Sequence, residues 1–192
     1  MLSSSKENRS ITVRRLFELL EAHITENTMV IADVGDFLFG ALDLTIRGQT
    51  DFLSPAYYCS MGFAVPAAIG AQLAKPKQRP IVLVGDGAFQ MSGMEISTIA
   101  RFELSPIIIV LNNRGYGTER PMLDGPFNDV LSWNYSQIPC VIGHVKGFVI
   151  EVEDQFEKCL SDVEKFYANE LYLLDVRLDR NDRSPGHQVK QV

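Results

Sequence analysis

The chain reads as a single three-layer α/β domain with helices on both faces of a mainly parallel sheet of about six strands. Two apolar runs, Ile81-Val82-Leu83-Val84 and Ile107-Ile108-Ile109-Val110-Leu111, are hydrophobic at consecutive positions, as strands covered on both faces require. The stretch 91–104 between them has the length and composition of a helix, so the three form a crossover unit with parallel strands. Each run ends in a short polar motif, Gly85-Asp86-Gly87 after the first and Asn112-Asn113 after the second. Both motifs therefore fall on the carboxyl edge of one sheet, where open α/β folds bind ligands.

The remaining elements follow in order. Residues 1–10 are short and polar, with Ser3-Ser4-Ser5, and read as a disordered or linker stretch without the apolar segment of a secretory signal. Over 11–25, Val13, Leu16, Phe17, Leu20 and Ile24 recur on one helical face. A short strand is expected at 29–32. A helix follows at 63–75, with Pro66 in its first turn and Ala67, Ala68, Gly70 and Ala71 small enough for close packing on a sheet. Pro76 and Pro80 bracket a loop. After the second motif, 147–152 reads as a strand, 154–168 as a helix and 171–178 as a closing strand. The domain is expected to span 11–179, and 180–192 has the composition of a solvated tail.

Composition narrows the class of function. With 192 residues and 46% hydrophobic content the chain is large enough for one real core. A net charge of −6 without a basic stripe argues against a nucleic-acid partner. No apolar run approaches the roughly eighteen residues that would span a membrane, so no membrane partner is expected. Cys59, Cys140 and Cys159 form an odd set with no Cys-x-x-Cys pair, which disfavours a disulfide framework or zinc site and fits a cytoplasmic location.

The residue types at the sheet edge suggest their chemistry. Asp86 offers hard carboxylate oxygen, Asn113 a side-chain carbonyl and the following loop backbone carbonyls, a donor set for magnesium or calcium and not for zinc or copper. Gly85 and Gly87 permit close approach of the backbone, and the N–H groups opening the next helix would face anionic groups. A metal-bound diphosphate fits that combination.

Gly85-Asp86-Gly87, followed by residues 88–111 and then Asn112-Asn113, resembles the signature of the thiamine diphosphate-dependent 2-oxo acid decarboxylases and their carboligase relatives. The likeness runs from about residue 29 to 179 and includes Ser60-Met61-Gly62-Phe63, Ile96-Ser97-Thr98 and Asn112-Asn113-Arg114-Gly115-Tyr116 leading to Glu119. Downstream, Phe127-Asn128-Asp129-Val130, Trp133-Asn134-Tyr135 and Ile138-Pro139 look like the corresponding stretch of pyruvate and indolepyruvate decarboxylases.

The resemblance implies a ligand set and roles. Asp86, the Asn113 side chain and the Gly115 carbonyl would hold Mg2+. Met61 would support the bent cofactor, thiamine diphosphate, and the carbonyl of Cys59 would accept from its amino group. Gly85, Gly87, Ala88, Tyr116 and Thr118 complete the implied cofactor-binding set, and Glu119 matches an acid placed for proton transfer. Asp36 is a departure, standing where the family tends to have a hydroxyl residue near the diphosphate. The family's pyrimidine-binding domain, which supplies a cofactor-activating glutamate, has no counterpart here. A pyrimidine-binding domain or subunit is thus an expected partner, with the chain alone inactive and a homo- or hetero-oligomer the working form. The implied substrate is a small 2-oxo acid. Decarboxylation is the leading expectation; the alternatives are an acetolactate synthase-type carboligase and a non-catalytic assembly module.

Overall fold

A computed structural model of the chain describes residues 8–48, 50–143, 145–166 and 170–188. Its centre is a six-stranded sheet in which every neighbouring pair is parallel. The strands are β1 (Thr28–Ala32), β2 (Asp51–Leu53), β3 (Arg79–Gly85), β4 (Ile107–Asn112), β5 (Val145–Ile150) and β6 (Leu171–Arg177), in the spatial order β2-β1-β3-β4-β6-β5. The helices are α1 (Val13–Glu21), α2 (Asp36–Ala41), α3 (Ala64–Ala74), α4 (Asp86–Ser92), α5 (Ile96–Arg101), α6 (Ile138–Ile142), α7 (Glu153–Phe166) and α8 (Pro185–Gln188).

The continuous apolar runs give the sheet two buried faces, because successive strand residues point to opposite sides. Ile81, Leu83, Ile107, Ile109 and Leu111 pack with α1 and α7 through Leu16, Phe17, Leu20, Phe156 and Leu160. Val82, Val84, Ile108 and Val110 pack on the opposite face with Val65, Ala68, Phe89, Ile96, Ile99 and Tyr135. This is the three-layer arrangement expected from the sequence. No helix of the described residues is long and apolar enough to cross a membrane.

Several boundaries move for local reasons. The first helix begins only at Val13, because the Ile11 N–H is used by the Glu151 carbonyl and the Thr12 hydroxyl accepts the Arg15 N–H as a cap. The helix expected at 91–104 starts earlier, at Asp86, and breaks into α4, a 3-10 turn over Gly93–Glu95, and α5. At the break, Ser92 turns its hydroxyl to the Gly62 carbonyl at 2.6 Å, and Phe89 occupies the space a side chain at Gly93 would need. Three-residue β2 and the short helices α2 and α6 are too brief for a periodic signal.

The solvated tail expected from residue 180 is corrected over its described part. Ser184 is fully buried, Asp182 accepts the Val13 N–H at 2.7 Å, and residues 185–188 form α8. Polar composition misled here because the segment docks through hydrogen bonds and charge, not through an apolar face. At the other end, Ser10 is bridged to Val152, so order begins before residue 11. Residues 1–7 and 189–192, and residues 167–168 of the expected helix at 154–168, lie outside the described residues.

Candidate functional site

Strand order reverses its direction of growth at β1, which has β2 on one side and β3 on the other. A crevice is expected outside the carboxyl ends of the strands at such a point. A cleft of about 650 Å³ lies there, lined by the segments that follow β1, β2, β3 and β4. Cys59, Met61, Gly85, Asp86, Gly87, Ala88, Asn113, Gly115, Tyr116, Thr118 and Glu119 all line it, so every candidate named from the sequence is brought to one place.

Asp86 sits at the base, 2% exposed. Its Oδ1 accepts the Gly87 N–H at 2.7 Å and its Oδ2 the Gly115 N–H at 3.1 Å. Burial pushes its carboxyl up to about 6, opposed by those backbone donors and by the nearby positive charge of Arg120. Asn113 is 5% exposed, and its side chain has no hydrogen-bond partner among the described residues. Its amide instead opens on the cleft, where a ligand can reach it. Its neighbour Asn112 turns the other way, donating its amide to Asp175 at 2.8 Å beneath the sheet edge. The two asparagines therefore divide the work, one anchoring β4 to β6 and the other facing the cleft.

Backbone and packing detail set the walls. A Cβ at Gly85 would meet nothing within 4 Å, so the cleft is open above it, whereas one at Gly87 would lie 2.5 Å from the Tyr116 ring. Glycine at 87 is what lets that ring close over the turn. Cys59 has φ 54°, in the left-handed region that side chains disfavour, and it is exposed. Met61 is part-buried against the core beneath α3. Thr118 faces Gly35 across the cleft, its Cγ2 3.8 Å from where a Gly35 Cβ would stand. Glu119 is exposed at the rim.

Two supporting residues, Asp33 and Arg120, were not assigned from sequence. Asp33, fully buried, accepts the N–H groups of Val34 and Gly62 on Oδ1 and that of Ala64 on Oδ2, fixing the turn that carries Met61 to the end of β1. Arg120 is buried and bonds Asp124 and Asp129, each at 2.7 Å, and the carbonyls of Arg114 and Asn128. It thereby ties down the loop carrying Gly115 and Glu119. An arginine four residues before an aspartate was the one available hint. Asp36, on the α2 wall, is engaged by Ser184, which no local pattern links to it.

The donor set is one carboxylate, one amide oxygen and backbone carbonyls, all hard oxygens. Among the described residues no three His, Cys, Asp or Glu side chains converge. A cation here would rely on amide and backbone oxygen, in the manner of magnesium shared with phosphate.

Comparison with known proteins supplies the family. Residues 33–176 match the family described as "Thiamine pyrophosphate enzyme, C-terminal TPP binding domain". An alpha-keto-acid decarboxylase of Mycobacterium tuberculosis (strain H37Rv) is 35% identical over 135 residues, covering 69% of this chain and 24% of that protein. A Schizosaccharomyces pombe protein named "Probable pyruvate decarboxylase" is 30% identical over 191 residues, covering 95% of this chain and 32% of its own length. The chain thus spans between about a quarter and a third of the curated relatives it matches. Among solved structures, a thiamine diphosphate-dependent 4-hydroxybenzoylformate decarboxylase of Rhodococcus jostii RHA1 superposes with a TM-score of 0.79 at 23% identity, over 93% of this chain and 34% of that one. That likeness establishes a shared fold. Because the matched stretch includes every residue lining the cleft and most of the sheet, the chain belongs to the C-terminal thiamine pyrophosphate-binding domains of thiamine pyrophosphate enzymes.

Proposed function

We propose that the chain is the diphosphate- and magnesium-binding part of a thiamine diphosphate-dependent 2-oxo acid decarboxylase, working with a pyrimidine-binding domain or subunit in an oligomer. One observation carries the reading: the buried Asp86 carboxylate and the Asn113 side chain, which makes no hydrogen bond among the described residues, converge on one cleft beside two glycines. Asp86, Asn113 and the Gly115 carbonyl would hold magnesium. The Gly115 carbonyl also accepts the Gly117 N–H at 3.0 Å, which leaves its second lone pair for a cation.

The chain's own residues divide the remaining tasks. Ala88, Tyr116 and Thr118 shape the diphosphate cleft, Met61 supports the rings of the cofactor, and the Cys59 carbonyl accepts from its amino group. When bound, thiamine diphosphate supplies the electron sink for loss of carbon dioxide from a 2-oxo acid. Glu119, at the rim, would move a proton to or from the reacting carbons.

Exposed apolar residues beside the cleft support a missing partner. Tyr57 and Tyr58, next to Cys59, are 98% and 83% exposed, and Met122 on the cleft itself 74%. Large apolar groups so exposed beside a ligand cleft mark an interaction surface. Alone, the chain should bind but not turn over; a cytoplasmic location fits its three free cysteines.

Product analysis of the assembled enzyme with small 2-oxo acids tests the reaction. The proposal expects the aldehyde one carbon shorter; a hydroxy-keto acid would instead assign the carboligase reaction. Tight assembly without either product would leave an assembly module.

A further inference from the structure

The acid on the wall of an anion-binding cleft needs an explanation. Asp36 opens α2, lines the cleft and is 8% exposed. An ionised carboxylate at that position opposes a diphosphate unless its charge is directed elsewhere. Here it is directed elsewhere. Both its oxygens accept the Ser184 N–H, at 3.1 and 2.9 Å, and Oδ1 also accepts the Ser184 hydroxyl at 2.7 Å. Two donors from one residue thus converge on one carboxylate, from the far end of the chain.

Ser184 is held in place independently of that contact. On one side Asp182 accepts the Val13 N–H at 2.7 Å, and Arg180 reaches Asp129 at 3.1 Å. On the other, α8 lies close against α2, where a Cβ at Gly186 would stand 3.0 Å from the Phe39 carbonyl oxygen. The segment is therefore pinned on both sides of Ser184, which presents its donors with little freedom left to lose. Charge-assisted bonds of this kind are strong when preorganised and buried.

We propose that Ser184 is a positioning residue for the cleft, drawing the Asp36 carboxylate onto its own N–H and hydroxyl so that the cleft accepts a diphosphate. The proposal rests on the diphosphate-binding reading above. Without the Ser184 hydroxyl the carboxylate loses the shorter of these bonds and keeps the Ser184 N–H, so less of its charge is drawn away from the cleft and it repels the anion more strongly. The C-terminal segment, whose described residues make no hydrogen bond to a candidate ligand of the cofactor, then sets the affinity of the cleft through Asp36.

The test is a double-mutant cycle read by calorimetric titration with thiamine diphosphate and magnesium, using the full chain as wild type, Ser184→Ala, Asp36→Asn and the double variant. Loss of one charge-assisted bond should weaken binding by about tenfold in Ser184→Ala. Asp36→Asn should stay within about threefold of wild type, and adding it to Ser184→Ala should restore affinity to that same range. Unchanged affinity in Ser184→Ala overturns the proposal while leaving the cleft reading intact. So does a tenfold or greater gain in Asp36→Asn alone, about 1.4 kcal/mol, because the charge would then be felt in the wild type. A double variant as weak as Ser184→Ala also overturns it, since the loss would be one of packing. If Ser184→Ala does not fold, as judged by circular dichroism, Ser184 serves the fold and the proposal fails. If none of the four binds, the diphosphate reading fails and takes this inference with it.

Discussion

The Asp86 carboxylate accepts the Gly115 N–H at 3.1 Å, bonding the turn after β3 to the loop after β4 at the base of the cleft. Its other oxygen takes the Gly87 N–H at 2.7 Å. Two backbone donors orient the group, but they do not repay what burial takes from an ionised carboxylate. A cation bound at the proposed site would correct that imbalance.

A pH dependence follows, and its sign is fixed. Burial raises the folded-state value of Asp86 from 3.8 to about 6, so between those values the folded chain holds a proton that the unfolded chain has released. Metal-free stability contributed by this group is complete below about pH 4 and is lost as pH rises through about 6, by up to about 3 kcal/mol. Asp86→Asn should therefore unfold at a higher temperature than wild type at pH 7.5 in chelator, with the advantage gone below about pH 4. Thermal melts across that range check it; a difference independent of pH would assign the effect to packing.

Asp33→Ala tests the fixed turn beneath Met61. It strands the N–H groups of Gly62 and Ala64, both now bonded to the carboxylate. A loss of about 2–4 kcal/mol is expected in urea unfolding. Cofactor affinity should fall as well, because the turn that positions Met61 loosens. A destabilised variant with unaltered affinity would separate the turn from the site.

Gly147→Ala provides a contrast remote from the cleft. A Cβ there would overlap the backbone carbonyl of Ser136 and stand 3.0 Å from Pro139 Cγ. Backbone cannot yield as a side chain does, so destabilisation of about 1–3 kcal/mol is expected from overpacking. Magnesium-dependent binding by the folded fraction should be unchanged.

Glu119→Gln separates binding from chemistry. The residue is exposed on the rim and bonds neither Asp86 nor Asn113. In the assembled enzyme, cofactor affinity should match wild type while kcat falls by about tenfold or more. Equal turnover would remove Glu119 from the reaction.

What the sequence made legible divides along physical lines. The parallel core was readable because Val82-Leu83-Val84 and Ile108-Ile109-Val110 are rich in β-branched residues and apolar without interruption, the pattern of short strands covered on both faces. The cleft was readable because its motifs are local, each a few residues at a strand end. Asp33 was not, since its partners Gly62 and Ala64 become neighbours only when β1 and α3 pack. Ser184 was read as tail for a related reason: its one essential contact is 148 residues away and leaves no periodicity. The left-handed φ of 54° at Cys59, which a residue with a side chain disfavours, likewise leaves no trace in the sequence.

The most direct measurement is titration of the purified chain with thiamine diphosphate, in magnesium and then in chelator, for wild type and Asp86→Ala. Saturable heat that requires magnesium in the wild type and is absent from Asp86→Ala is the expected result. Binding that is indifferent to magnesium, or as tight in Asp86→Ala as in the wild type, would contradict the assignment of this cleft as a metal-dependent diphosphate site.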